Sequence, residues 1–160
     1  MISSARLACL FALLALPAAA QSIAFGGIKG DTRAPVEVTA DSLAVDQGNG
    51  TAVFSGNVLI GQANMRLQAA KVTVEYGNAE QSKINRLIAT GGVTLVSASE
   101  AAEAREAVYD VVKGNVVLTG DVLLTQGKNV MAGQKLSVDL ATGTGQMDGR
   151  VRTILTPGGN

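Results

Sequence analysis

Apolar side chains recur at every second position through most of this chain. Phe54, Val58 and Ile60 alternate with Val53, Ser55, Asn57 and Leu59, and Val72, Val74 and Tyr76 alternate with Lys71, Thr73 and Glu75. Leu136 and Val138 stand between Lys135, Ser137 and Asp139 in the same way. A period of two in Val-rich sequence predicts half-buried strands, because successive strand side chains point to opposite faces and β-branched residues suit the extended backbone. Turn signals separate the segments at Gly48-Asn49-Gly50, Gly77-Asn78, Lys113-Gly114-Asn115 and Thr142-Gly143-Thr144-Gly145. Asn49-Gly50 predicts a type I′ hairpin turn, in which both central residues take positive φ.

Two short patterns repeat. One is a small residue, two variable residues, then alternating apolar positions ending in an acid: Ala40 to Asp46, Ala69 to Glu75, Ala104 to Asp110 and Gly133 to Asp139. The other is Ser55-Gly-Asn-Val58, Thr90-Gly-Gly-Val93, Thr119-Gly-Asp-Val122 and Asp148-Gly-Arg-Val151. The step from Gly56 to Ala69, from Gly91 to Ala104 and from Gly120 to Gly133 is 13 residues each time. The step from Asp46 to Gly56, from Asp110 to Gly120 and from Asp139 to Gly149 is 10 residues. A unit of this regularity, copied about four times, predicts a stacked repeat architecture.

Apolar parity changes within the 13-residue steps, from even at Val58 and Ile60 to odd at Met65, Leu67 and Ala69, then back to even at Val72 and Val74. Such a switch within one extended segment predicts a corner or bulge where a strand passes between two facing sheets. The inner surfaces would carry Phe54, Val58, Ile60, Leu67, Val72, Val74, Val93, Leu95, Tyr109, Leu118, Val122, Leu124, Met131, Leu136 and Val138. Two readings fit them: an ordinary sandwich core, or a groove that accepts an apolar ligand. Residues 97–112 resist the pattern. They are rich in Ala and Glu, with Ala101, Ala104, Val108 and Val111 at helical spacing and Ser97 and Glu100 placed as a capping box. The unbroken register of Gly91 with Ala104 favours strand, and strand is the expectation taken.

Composition narrows the chemistry. Lys+Arg and Asp+Glu are 13 each, and a balanced charge argues against nucleic-acid binding. Aromatic residues are 3%, too few for stacking platforms, and apolar residues are 47%, enough for a sizeable core. No histidine is present, which removes Ser-His and Cys-His nucleophile pairs and the common zinc sites. No metal, cofactor or catalytic set is expected. Asp46, Glu75, Asp110 and Asp139 alternate outward from the valines, so a carboxylate hydrolase built on paired inward acids is not favoured. Glu100, Glu103 and Glu106 read as a solvated face.

Residues 1–20 read as a secretory signal peptide. Arg6 precedes the apolar run Leu7 to Leu16, Pro17 breaks it, and Ala18-Ala19-Ala20 supplies small residues for cleavage. Cys9, the only cysteine, lies inside that segment. Residues 21–35 read as a flexible lead-in, residues 36–155 as the folded domain and residues 156–160 as a flexible tail.

The units Ala40-Asp-Ser-Leu-Ala-Val-Asp46, Ala52-Val-Phe-Ser-Gly-Asn-Val-Leu-Ile60 and Leu118-Thr-Gly-Asp-Val-Leu-Leu124 resemble the OstA-like family, across roughly residues 36–155. The resemblance implies an all-β, open antiparallel β-roll (a β-taco or β-jellyroll). It implies a non-enzymatic periplasmic component that carries lipopolysaccharide from the inner to the outer membrane, its lipid A acyl chains shielded in an apolar groove. The implied partners are further copies stacked head to tail, an inner-membrane LptC-like protein and an outer-membrane LptD-like protein. Matching repeat positions assigns Phe54, Val58, Ile60, Val93, Leu95, Tyr109, Leu118, Val122 and Leu124 to the lipid-binding groove. The edge strands for stacking would carry Val36 and Val38 at one end and Val151 and Leu155 at the other. The alternative is a structural or adhesive β-repeat protein with a filled core and no lipid cargo.

Overall fold

The computed structural model describes residues 23–24, 31–77 and 83–157. The signal-peptide reading of residues 1–20 lies outside them. The described residues form eleven strands: β1 (Ile23–Ala24), β2 (Glu37–Thr39), β3 (Ser42–Asp46), β4 (Thr51–Gln62), β5 (Met65–Tyr76), β6 (Ile84–Ser97), β7 (Glu100–Asp110), β8 (Asn115–Gln126), β9 (Asn129–Asp139), β10 (Thr144–Asp148) and β11 (Arg152–Ile154). All belong to one antiparallel sheet in the order β1-β10-β9-β8-β7-β6-β5-β4-β2, with β3 also on β4 and β11 also on β9. From β4 to β10 every strand pairs with its sequence neighbour, so the chain is a meander.

Each long strand bends once. The ladder shifts register between Ser55 and Val58, Ala69 and Lys71, Thr90 and Val93, Glu103 and Glu106, and Thr119 and Val122. These bulges line up across the sheet and fold it along a corner into two facing arms. The first arm holds β3, β10 and the halves of β4 to β9 that flank the Asp46, Asp110 and Asp139 turns. The second holds β2, β11 and the opposite halves.

The two recurring patterns are the two sides of this corner on neighbouring strands. Gly91 takes φ +85°, and a Cβ there would stand 2.6 Å from the Ala70 Cβ. Gly120 takes φ +84°, and its Cβ would meet the Arg105 side chain at 2.9 Å. Only glycine combines the left-handed backbone with so close a neighbour. At the first corner Asp41 takes the neighbouring place: its N–H donates to the Gly56 carbonyl at 2.9 Å, and its carboxylate accepts from Asn57 Nδ2 at 2.8 Å.

The 13-residue steps therefore differ from the expectation of one extended segment. Each runs from a corner out along the second arm, reverses, and returns. The reversals lie at Ala63-Asn64, Ala98-Ser99 and Gly127-Lys128. Ala63-Asn64 and Ala98-Ser99 lack the glycine that marks most two-residue turns, and Ala63 holds its positive φ of 49° without being a residue that favours it. The Asn49-Gly50 turn also differs. Residues 47–50 form a four-residue turn in which Gly50 has positive φ and Asn49 does not. The Asp46 carboxylate accepts from Asn49 N–H at 3.1 Å and from Asn49 Nδ2 at 2.7 Å, which fixes Asn49 in the more common backbone region. Asp110 and Asp139 repeat the device, accepting from Lys113 N–H and from Ala141 and Thr142 N–H, each at 2.9 Å.

Residues 100–110 are strand, as the repeat register requires. β6 and β8 satisfy the β7 backbone on both sides, and the small Ala102 and Ala107 fit the tightly packed interior, overriding local helical propensity. Glu100 departs from the solvated face expected of it. It is buried at the start of β7, where its Oε1 accepts from Gln126 Nε2 at 2.6 Å.

Candidate functional site

The two arms enclose an apolar trough that runs across the sheet from β3 and β2 to β10 and β11. Val58, Ile60, Val93, Leu95, Tyr109, Leu118, Val122 and Leu124 are all buried on its inner face. Phe54 shares that face but is only partly buried, because it stands on β4 near the end of the trough. Met65, Val72, Leu87, Val116, Met131, Leu136 and Leu140 complete the lining. Removing a Leu or Val side chain of this kind from water contributes about 1.5–3 kcal/mol, so the trough is also the core that holds the arms together.

The interior is closely filled. A cavity of about 30 Å³ remains between the arms, walled by Val36, Ile60, Leu67, Leu95, Tyr109 and Val116 among others. A larger apolar guest has to part the arms, which join along the corner and face each other across the mouth.

The mouth carries a polar bridge that periodicity did not single out. Tyr109, at the free end of β7 in the first arm, donates from its hydroxyl to Gln62 Oε1 at 3.0 Å, at the free end of β4 in the second. The Gln62 amide donates to the carbonyls of Ala34 at 2.9 Å and Thr32 at 3.2 Å. Gln62 is buried and fully engaged, as a polar group placed there must be. Its signal in the sequence was parity: Gln62 occupies the inward register of Val58 and Ile60. Burial pushes the Tyr109 hydroxyl up from the ordinary phenol range, with the Gln62 hydrogen bond acting the other way. Asp46, Asp110 and Asp139 are held below the usual carboxylate range, first by the turn N–H groups of Asn49, Lys113 and Thr142. They stand in exposed turns and share no centre.

The ends of the trough differ. Leu43 and Val45 of β3 pair opposite Phe54 and Ala52 and so share the inner face, yet they are 55% and 62% exposed because no strand covers them. A groove of about 270 Å³ runs along them, past Phe54 and Tyr76. Val36 and Val38 pack partly on the core. At the opposite end Val151 and Leu155 are exposed, as is Ile154 of β11. β11 pairs only with β9 among the described residues, whereas the β10 edge carries β1. Among the described residues no group of three or more His, Cys, Asp or Glu could hold a metal ion.

A family model described as LptA/(LptD N-terminal domain) LPS transport protein matches residues 37–144. An uncharacterised protein of Rhizobium meliloti (strain 1021) is 33% identical over 153 residues, 88% of this chain and 81% of that protein. The lipopolysaccharide export system protein LptA of Escherichia coli (strain K12) is 29% identical over 132 residues, 78% of this chain and 70% of that protein. The crystal structure of LptH, described as the LptA-homologous periplasmic component of the lipopolysaccharide transport device of Pseudomonas aeruginosa, superposes with a TM-score of 0.72. It is 20% identical and covers 80% of this chain and 99% of that one, so it establishes the shared fold. The bent meander, its glycine corners and these matches together make this chain a member of the LptA/LptD N-terminal domain family of lipopolysaccharide transport proteins.

Proposed function

We propose that this protein is a periplasmic carrier of lipopolysaccharide between the inner and outer membranes, and that it shields the acyl chains in its trough. The supporting observation is the continuous aliphatic inner face from Phe54 to Leu136, which reaches an uncovered end at Leu43 and Val45. Each methylene removed from water contributes about 0.8 kcal/mol, so several acyl chains exposed to the periplasm would cost tens of kcal/mol. Aliphatic walls offer no directional bond to break, so sliding exchanges one apolar site for a similar one. The arms part at the mouth to admit the chains, and the sugar headgroup stays in water. The chain carries no phosphate-loop motif: Gly127-Lys128 is followed by Asn129, and Val122 stands where the motif's first glycine would be.

Growth into a bridge follows from the ends. Uncovered strand edges template pairing with another chain, and a head-to-tail contact does not close on itself. The β3 end, with Leu43 and Val45 bare, would receive the last strands of the next copy, with Val36 and Val38 beside it and Val151 and Leu155 facing it. LptC-like and LptD-like proteins would meet the two ends of the stack in the same manner.

A photo-crosslinking side chain at Phe54 or Leu118 tests the groove, against Val53 or Val117 on the outer face. Capture of lipopolysaccharide at the inner positions alone is expected. Equal labelling on both faces would remove the groove assignment. No labelling at any position would favour a filled structural or adhesive repeat, the reading that the close packing of Leu118, Leu124 and Leu136 supports.

A further inference from the structure

The segment that leads into the sheet does not end at β2. Thr32 and Ala34 are tied by their carbonyls to Gln62 in the second arm. The Thr32 methyl also stands 3.6 Å from where a Cβ on Gly114 would lie, at the β7–β8 turn of the first arm. The segment is folded on itself there: Ala34 N–H donates to the Asp31 carbonyl at 3.1 Å, and Arg33 N–H to Asp31 Oδ1 at 3.0 Å. Further back, β1 adds to the far edge of the sheet, with Ile23 opposite Gly145 and Ala24 opposite Thr144 on β10. β1 thus lies on the last strand of the first arm, residues 31–34 lie at the mouth, and β2 joins the sheet at the other end.

From this we infer that residues 23–24 and 31–34 act as an intramolecular cap: β1 occupies the β10 edge that a second copy would need for head-to-tail growth, and the Gln62 clasp holds Thr32 and Ala34 at the mouth. The inference rests on the proposed stacking. Edge pairing is exclusive, because one row of backbone N–H and C=O groups accepts one strand. A β3 edge arriving from another copy must therefore displace β1. The bond to the Gln62 amide makes the cap sensitive to the mouth, since the same Gln62 carboxamide accepts from Tyr109. A guest that parts the arms separates Gln62 from Tyr109 and loosens the clasp on Thr32 and Ala34. Cargo entry and chain growth are coupled through one side chain.

The test is a reversible lock in the full-length secreted protein. Directly opposed antiparallel residues have Cα atoms about 4.5–5.5 Å apart, inside the roughly 4.4–6.8 Å that a disulfide spans. Ala24→Cys with Thr144→Cys should oxidise within one chain, giving a monomer of altered mobility on a non-reducing gel. Sedimentation velocity over a concentration series then compares oxidised and reduced protein. The locked form should remain monomeric, and the reduced form should associate. A cap closed about nine-tenths of the time weakens association about tenfold, so Gln62→Met, which removes the amide donors, should strengthen it by up to that factor. Disulfides that form only between chains, equal association of oxidised and reduced protein, or a reduced protein that stays monomeric throughout would each overturn the cap. Lipopolysaccharide capture at Leu118 in the reduced protein reports separately on the carrier reading. No capture in the reduced protein, while oxidation still blocks association, would remove the carrier and leave the cap.

Discussion

The Tyr109 hydroxyl and the Gln62 carboxamide, 3.0 Å apart, join the free ends of two arms that are otherwise continuous only at the corner. Phe at 109 would strand a buried acceptor, which costs about 1–3 kcal/mol. Tyr109→Phe should therefore lower the urea midpoint, while Gln62→Met removes the same bond together with the two to Ala34 and Thr32. A double-mutant cycle should return a coupling of about 0.5–3 kcal/mol. Strictly additive single effects would show that the bond is not formed in solution.

The two adjacent glycines at one corner separate backbone strain from crowding. Gly91 and Gly92 both take positive φ, at +85° and +87°. A Cβ on Gly91 meets Ala70 at 2.6 Å, while one on Gly92 meets nothing within 4 Å. Gly92→Ala should cost about 1–2 kcal/mol for the left-handed backbone alone. Gly91→Ala should cost that plus a further 1–3 kcal/mol or so for overpacking. Thermal melts of the two variants check the order, and equal losses would mean that the corner relaxes freely.

Leu118 is fully buried where the arms face each other. Leu118→Ala should destabilise by about 2–5 kcal/mol, through lost transfer energy and the cavity left behind. If the trough is also the cargo site, added acyl chains fill that cavity. The deficit measured by thermal shift should then shrink when lipopolysaccharide is present, because a ligand bound to the native state stabilises it. A deficit unchanged by the lipid would place Leu118 in an ordinary core.

Stability should fall at both ends of the pH scale for different reasons. Asp46, Asp110 and Asp139 have folded pKa values lowered by turn N–H groups. Their stabilisation is present above the unfolded carboxylate value of about 3.9 and is lost as pH falls through the lower folded values. Tyr109 has a raised folded pKa, so its contribution is full below the unfolded value of about 10 and is lost as pH rises through the folded one. A urea midpoint series should be flat near neutrality and drop on each side. Tyr109→Phe should flatten the alkaline limb, and Asp110→Asn should reduce the acid one.

Sequence and structure agree most closely at the corners. Gly56, Ala69, Gly91, Ala104, Gly120, Gly133 and Gly149 were legible as a spaced set of small residues, because the close approach of neighbouring strands tolerates nothing larger at the glycines. The turns at Ala63-Asn64 and Ala98-Ser99 were not, because neither holds the glycine that the tight backbone of a two-residue reversal usually selects. Glu100 was read as solvated because a carboxylate usually is; its burial depends on Gln126, 26 positions away.

By itself the sequence determined the strands, the faces they bury and the repeat that stacks them, since period two and small residues at fixed steps are local constraints on the backbone. It also carried the family in its repeated units. Only the tertiary structure decided that Gln62 meets Tyr109, that Leu43 and Val45 lie bare at one end, and that β1 covers the edge at the other. Those are encounters between segments far apart in the chain. They follow from how the sheet folds at its corner, which no single stretch of residues encodes.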